Sequence, residues 1–358
     1  MSAATSDHSA KGNKHSRLTI LFALLFLVIA IAGLSYIKWW PYYHKAIKAI
    51  TEHSIGSSIL TGEAGISPEP SFQAAWDYAL TYFNAVWKAA VLGILLGSLI
   101  QVLLPSQWLL KVLGKANFRS TALGGLASLP GMMCTCCAAP IAVGLRKKNV
   151  SVGAALAFWL GNPMLNPATL IFMTFVLSWK FTLLRILSGL ILTFAVSYFA
   201  GKLAGGSAVP EPVGELVNKA PEAEANILVR WLQSAGKMLL TIVPAYLVTV
   251  LVLGAARAWM FPALGDGAFN GILAVVIFTI AGTLFVIPTA AEIPIIATFL
   301  SFGFGTGVAG ALLVTLPPVS LPSLLMIYKS FPRRVVWFVV ASVIVLGLLA
   351  GAIGAVFL

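Results

Sequence analysis

Seven apolar runs, each close to the length needed to cross a bilayer, set the terms for this chain. They occupy residues 18–37, 80–104, 152–177, 181–201, 231–255, 306–328 and 335–357. A helix of about 20 apolar residues crosses the hydrocarbon core, so the expected fold class is an all-α polytopic membrane protein. Composition agrees. Hydrophobic residues make up 59% of the 358 and charged residues 9%, against the roughly 25% charge of a soluble domain. Most of the surface must face lipid, so the lipid bilayer is the first partner. Disordered and disulfide-scaffold classes are excluded by the same composition. The net charge of +12 sits in short clusters between apolar runs, which is the pattern of topology signals, and no nucleic acid partner is expected.

The first run reads as an uncleaved signal anchor, followed over residues 38–75 by an interfacial helix and a loop. Trp39, Trp40, Tyr42 and Tyr43 favour the headgroup layer. Two further apolar stretches, 120–145 and 272–300, are interrupted. Pro130 and Pro140 flank the first interruption, and Pro288 and Pro294 the second. Proline removes a helix donor and clashes with the preceding turn, so each stretch reads as two short arms around a non-helical tip. Such backbone survives at membrane depth only where it lines a cavity or is buried in protein.

Basic residues decide whether these stretches cross or return. If both return, one side carries Lys11, Lys14, Arg17, Lys111, Lys115, Arg119, Arg146, Lys147, Lys148, Lys202, Lys219, Arg230, Lys329, Arg333 and Arg334. The other carries Lys38, Lys45, Lys48, Lys180 and Arg257. That is 15 against 5; if both cross, the split falls to 11 against 9. The positive-inside rule therefore selects two re-entrant hairpins and a cytoplasmic N-terminus.

The sequence after each hairpin is similar. Pro140 pairs with Pro294, Gly153 with Gly307, and Ala157 with Ala311; one residue of slippage later, Pro163 pairs with Pro318 and Pro167 with Pro322. With re-entrant hairpins the two halves have opposite orientation, which predicts the inverted-repeat architecture of many secondary transporters. The organisation expected is an N-terminal signal anchor and interfacial segment (1–79), a first transmembrane repeat (80–203), a polar linker (204–229) and a second, inverted repeat (230–358).

No G-x-x-x-x-G-K-[ST] and no H-E-x-x-H occurs, so neither an ATPase nor a zincin-type protease is expected. The reading is a permease, not an enzyme, with no resident cofactor and no implied oligomeric state. Three cysteines fall within four residues at the first tip: Cys134, Cys136 and Cys137. Thiolates are soft ligands for Cu(I), Zn(II) and trivalent arsenic, so all three are candidate metal or metalloid ligands. Cys134 and Cys137 are also spaced as C-x-x-C, which keeps open a membrane thiol oxidoreductase. A structural or assembly subunit without transport is a third reading. Glu292 stands alone as an acid in the second half's apolar stretches, and an intramembrane carboxylate is by default functional; proton coupling or cation binding are its natural roles. Asn162 and Asn166, four residues apart on one helical face, are expected to line the path. Arg185, Lys237 and Arg257 read as snorkelling from span ends.

The run from Pro130 to Pro140 with its C-x-C core, the short basic loop after it, Gly153-Ala-Ala-Leu-Ala-Phe158 and the Asn-Pro-rich helix resemble the bacterial predicted-permease family that includes organoarsenical efflux permeases. The resemblance covers about residues 80–358. It implies a multi-pass protein of the bacterial inner (plasma) membrane, in a family associated with export of trivalent organoarsenicals and, in other members, metal ions. Cys134 and Cys136 match the family's C-x-C; Cys137 stands where many relatives have glycine. The expected function is secondary-type efflux of a soft metal or metalloid species.

Overall fold

The computed structural model describes residues 21–60, 69, 71–205, 227–261 and 271–358. The basic N-terminal residues Lys11, Lys14 and Arg17, and most of the linker with Lys219, lie outside the described residues. Among the described residues the elements are helices, and five of them are long and apolar enough to cross a membrane.

The chain begins with α1 (Leu21–Glu52). The first half follows as α2 (Phe72–Leu103), a short amphipathic α3 (Ser106–Leu113), a hairpin of α4 (Phe118–Ser128) and α5 (Thr135–Lys147), then α6 (Val152–Met164), α7 (Pro167–Val176) and the long α8 (Trp179–Leu203). The second half repeats this order. It has α9 (Ile227–Met260), a hairpin of α10 (Ile272–Leu284) and α11 (Glu292–Ser301), then α12 (Thr306–Thr315), α13 (Leu321–Ile327) and α14 (Arg333–Phe357). Local signals start many of these helices. Ser71, Asn117, Ser151 and Asn166 each accept from a backbone N–H of the first turn, and Ser320 with Ser323 forms a reciprocal capping box.

Contacts recur between the halves at a constant spacing of 154 residues. In the first half Ser128 and Thr193 pack where Gly161 has no side chain; in the second, Gly282 and Gly347 lie where Thr315 fills the space. Glycine and hydroxyl residue have exchanged places at each contact, so the volume between the helices is kept. Gly153 meets Thr121 and Ser197, and Gly307 likewise meets Val275 and Gly351. The repeat is inverted. Trp231 donates to Ser98 at 3.0 Å, joining the start of α9 to the end of α2, while Gly254 near the end of α9 abuts Ala75 near the start of α2. Lys180 at the start of α8 donates to the Phe357 carbonyl at 3.0 Å, and Arg334 at the start of α14 to Ala204 beyond the end of α8 at 3.1 Å. Equivalent long helices thus run antiparallel.

Each hairpin enters and returns on the same side of the bundle, the two from opposite sides. Ser151 N donates to Leu113 O at 2.9 Å and Arg146 Nε to Ser330 O at 3.3 Å, so the open end of the first hairpin sits with the α3, α6 and α13 ends. This end of the bundle carries Lys111, Lys115, Arg119, Arg146, Lys147 and Lys148, and with them Lys202, Lys329, Arg333 and Arg334; it is called the basic face below. The second hairpin opens on the opposite face, beside the start of α12 and the end of α14. The arms, of 10 to 13 residues, are too short to span.

Three expectations are corrected. Residues 152–177 and 306–328 are not continuous spans. The first divides after Met164 and restarts with Pro167 as the first helical residue; the second divides after Thr315, before Pro317 and Pro318, and restarts at Leu321. Proline suits a helix start and not its interior. The aromatic run after Ile37 is not a separate helix. α1 continues without a break through a π-turn at Ser35–Trp39 to Glu52, placing Lys38, Trp39 and Tyr42 against the bundle interior. Lys38 is accordingly buried and does not belong to an external loop.

Candidate functional site

The two hairpin tips and the two helix breaks meet. Cys134, Pro163, Thr169, Ile287, Pro288, Thr289, Ala290, Glu292 and Pro317 line one small cavity of about 10 Å³, close to the room one water needs. Both tips use backbone conformations outside the helix. Met132 and Ala290 have positive φ, at 48° and 68°, and Asn162 braces the first tip by accepting from Met133 N at 3.4 Å while its amide donates to Phe158 O at 2.9 Å. A Cβ on Gly131 would run into Asn162 Oδ1; the tip seats on that amide only because the residue there is glycine.

α5 begins immediately after Cys134, which is its N-cap residue. Residues three apart share a helical face. Cys134 Sγ and Cys137 Sγ therefore lie 3.0 Å apart, as free thiols. Cys136 points elsewhere, with its Sγ 3.5 Å from Ser320 Oγ and hydrogen-bonded to Tyr82. The structure does not gather Cys134, Cys136 and Cys137 into one three-sulfur cluster, because consecutive helical side chains diverge by about 100°. Among the described residues no group of three or more His, Cys, Asp or Glu side chains is placed to hold a metal ion. What the fold offers is a thiol pair with a third thiol on a separate network that continues from Tyr82 to Tyr246, hydroxyl to hydroxyl, at 2.7 Å.

Lys38 closes the thiol pair from the side of α1. Its ammonium donates to Tyr42 Oη at 3.1 Å and to Thr289 Oγ1 at 3.2 Å, and Thr289 also hydrogen-bonds Cys134. Trp39 Nε1 donates to Pro130 O at 2.8 Å, tying α1 to the first tip. Sequence reasoning missed Lys38, which lies one residue past the apparent end of an apolar run. The spacing of Lys38, Tyr42 and Lys45 on one helical face was the available signal.

Glu292 is buried and paired. Arg185 Nη2 donates to Glu292 Oε1 at 2.9 Å, with both side chains nearly inaccessible. The guanidinium also donates to the carbonyls of Met164 (3.0 Å), Pro163 (2.8 Å) and Leu313. Helix breaks leave carbonyls without intrahelical partners, and Arg185 gathers three of them around the two breaks. The expectation that Arg185 snorkels is thus overturned. A second charge at membrane depth pointed to a partner for Glu292. Arg257 also differs from a snorkelling residue: it is buried, packs over the Tyr78 ring at 5.4 Å, and faces a cavity described below. Asn166 caps α7 by accepting from Ala168 N (3.1 Å) and Thr169 N (3.3 Å). Its Nδ2 and the neighbouring Thr169 Oγ1 are buried without a hydrogen-bond partner.

A second cavity, of about 730 Å³, opens on the face opposite the basic one, between α1, α2 and the second tip. Pro288, Thr289 and Ala290 line both cavities, so the second tip is the wall between the open vestibule and the inner site. Gly93 and Gly97 let α2 lie directly against the backbone of Cys137 and Pro140 on α5, which fixes the thiol-bearing helix beside this wall.

Residues 125–356 match the family described as "Predicted permease" (ArsP_1). The chain belongs to this permease family. The matched region includes both tips, both breaks and the Arg185–Glu292 pair. UPF0718 protein YraQ of Escherichia coli is 51% identical over 333 residues, covering 93% of this chain and 94% of that one. UPF0718 protein YcgR of Bacillus subtilis is 25% identical over 279 residues, 74% of this chain and 90% of the relative. UPF0718 protein MJ0584 of Methanocaldococcus jannaschii is 30% identical over 131 residues, 36% of each chain. No solved structure matches the chain. As a member of a permease family with five long apolar helices, the permease is a multi-pass membrane transporter.

Proposed function

We propose that this permease exports a soft metal or metalloid species, by a secondary mechanism, along a path that passes the Cys134–Cys137 thiol pair. The observation that carries the reading is the 3.0 Å thiol pair at a tip held between two discontinuous helices and the opposite tip. Inverted repeats with broken helices meeting at the bundle centre are the framework of alternating access, and sulfur is the protein's soft ligand. Two thiolates match the two exchangeable positions of a monosubstituted trivalent arsenical. Cys136, on the Ser320–Tyr82 network, tunes the neighbouring break and is not a ligand of the same centre. Asn166, Thr169 and Glu292 line the path, with Arg185 holding the Glu292 carboxyl group in place. The basic face is the cytoplasmic one in this reading, and the membrane is the bacterial inner membrane.

One observation favours a second reading. A C-x-x-C pair at a helix N-terminus with its sulfurs in contact is also a redox-active arrangement, so a membrane thiol oxidoreductase would use the same two residues. The two part in a simple assay. Cells producing the permease are challenged with trivalent arsenicals, copper and zinc while cytosolic accumulation is followed, and the purified protein is incubated with a quinone and its thiols counted. Resistance with lowered accumulation, lost in Cys134→Ser, supports export. Quinone-dependent thiol loss without resistance replaces export by the redox reading.

A further inference from the structure

The vestibule has a sign. Among the described residues four cations line it, Lys38, Lys45, Lys88 and Arg257, with one carboxylate, Asp77. Their depth is informative. On α2 the lining residues run from Asp77 to Lys88, about 16 Å at 1.5 Å per residue, and Lys88 is halfway along a 32-residue helix. Lys38 is at a comparable depth on α1. A lysine at mid-membrane is expensive unless it faces a water-filled cavity, and Lys88 is exposed there. Neither of the two ion pairs among the described residues involves a vestibule cation. Arg257 lies electrostatically close to Asp77, but its buried Nε has no hydrogen-bond partner. Hydroxyls and an amide complete the wall, from Tyr42, Thr81, Asn84 and Thr289.

We propose that the vestibule is an anion-binding site, and that among charged species it favours a small oxyanion of a soft element over a free metal cation. This deepens the proposed function and rests on its reading of the thiol pair as the soft site. A cleft lined by one sign of charge with low-dielectric walls concentrates ions of the opposite sign and repels like ones. On the export path, copper or zinc ions leaving Cys134 would have to pass four positive side chains to reach the outer face. An oxyanion is accepted there, its oxygens matching the Lys38 ammonium and the hydroxyls of Tyr42 and Thr289, beside the wall shared with the inner cavity. Its soft anionic atom can then accept from the free thiols of Cys134 and Cys137, which are weak S–H donors. No bond is made or broken in this recognition.

The test uses the purified full-length permease in detergent, with radiolabelled thiosulfate as a soft oxyanion, sulfate as a hard competitor and zinc as the cation. Thiosulfate should bind saturably, about tenfold more tightly than sulfate, and more weakly as salt rises. Lys88→Gln with Arg257→Gln should weaken it at least tenfold; Lys45→Gln with Lys88→Gln, both exposed positions, does the same if the first pair fails to fold. A parallel measurement places Asn84→Cys in a variant with all three native cysteines replaced by Ser. An anionic methanethiosulfonate should label it at least tenfold faster than a cationic one, relative to a free thiol, and 1 M NaCl should erase the difference. Zinc binding without thiosulfate binding, unchanged affinity in the charge variants, or equal labelling rates would each overturn the proposal. If Cys134→Ser with Cys137→Ser still prefers thiosulfate to sulfate as wild type does, the soft-site reading fails and the anion site stands.

Discussion

At the first hairpin tip stand Cys134, Cys136 and Cys137; 154 residues further on, the second tip has Pro288, Ala290 and Ala291. Ala138 corresponds to Glu292, and Arg185 to Val339. The helices that carry these residues repeat contact for contact, even to the exchange of Gly161 and Thr315 with their partners. The chemistry does not repeat. One tip is soft and thiol-bearing, and the other is hard, with a carboxylate neutralised from the opposite half. Inverted repeats with broken helices are the framework of many secondary transporters.

The largest break in this comparison comes from Arg185. Arg185→Met leaves Glu292 buried without its cation and three break carbonyls without a donor, so stability should fall by about 3–5 kcal/mol. Detergent-solubilised protein should show this as a large drop in melting temperature and poor recovery. Adding Glu292→Leu should return most of the stability but not transport. An Arg185→Met protein as stable as wild type would mean that the second tip does not depend on the pair.

Next in size is the glycine exchange. Gly161→Thr places a side chain where Ser128 and Thr193 already lie, and overpacking costs about 1–3 kcal/mol. Combining it with Ser128→Gly and Thr193→Gly gives the first half the contact seen in the second, and the melting temperature should recover. If the triple variant is no better than the single one, the two halves are not equivalent at this point.

Cys136→Ser should have a smaller effect on soft-species resistance than Cys134→Ser or Cys137→Ser, because its sulfur turns toward Ser320 and Tyr82. Equal losses for all three in a resistance assay would argue for a three-thiol centre. The mildest test leaves function untouched. In a cysteine-free background, Asn149→Cys and Phe302→Cys mark the turns after the two hairpins, and impermeant reagents should reach them from opposite sides of the membrane, Asn149→Cys from the cytoplasm. Labelling from one side only would contradict the inverted repeat.

Much of the framework was legible because proline and charge act locally. Pro130, Pro140, Pro288 and Pro294 announced two interrupted stretches, and the 15-to-5 division of basic residues announced that both return. The breaks at Asn166 and Ser320 were carried by prolines too, but the long apolar runs 152–177 and 306–328 conceal them when hydropathy is averaged. The site was half legible. Cysteines, Glu292 and both asparagines stand out by type, and the structure brings Cys134, Glu292 and the two breaks to one cavity. Their partners were hidden because partnership is tertiary. Arg185 lies five residues inside the apparent start of its apolar run, and Lys38 one residue beyond another. At those places a cation that snorkels and one that turns inward have the same sequence. The divergence of Cys136 from its neighbours depended on where α5 begins, and that is set by the tip, not by the cysteines.

If the Cys134–Cys137 pair is the station through which a soft substrate passes, transport depends on both sulfurs. Inside-out membrane vesicles containing wild-type permease, or the Cys134→Ser with Cys137→Ser variant at matched protein levels, are given a trivalent organoarsenical and its accumulation is timed. Uptake by wild type and a loss of at least tenfold in the variant are expected, with Cys136→Ser near wild type. Undiminished uptake by a folded double variant would contradict that role and leave the sulfur pair as packing.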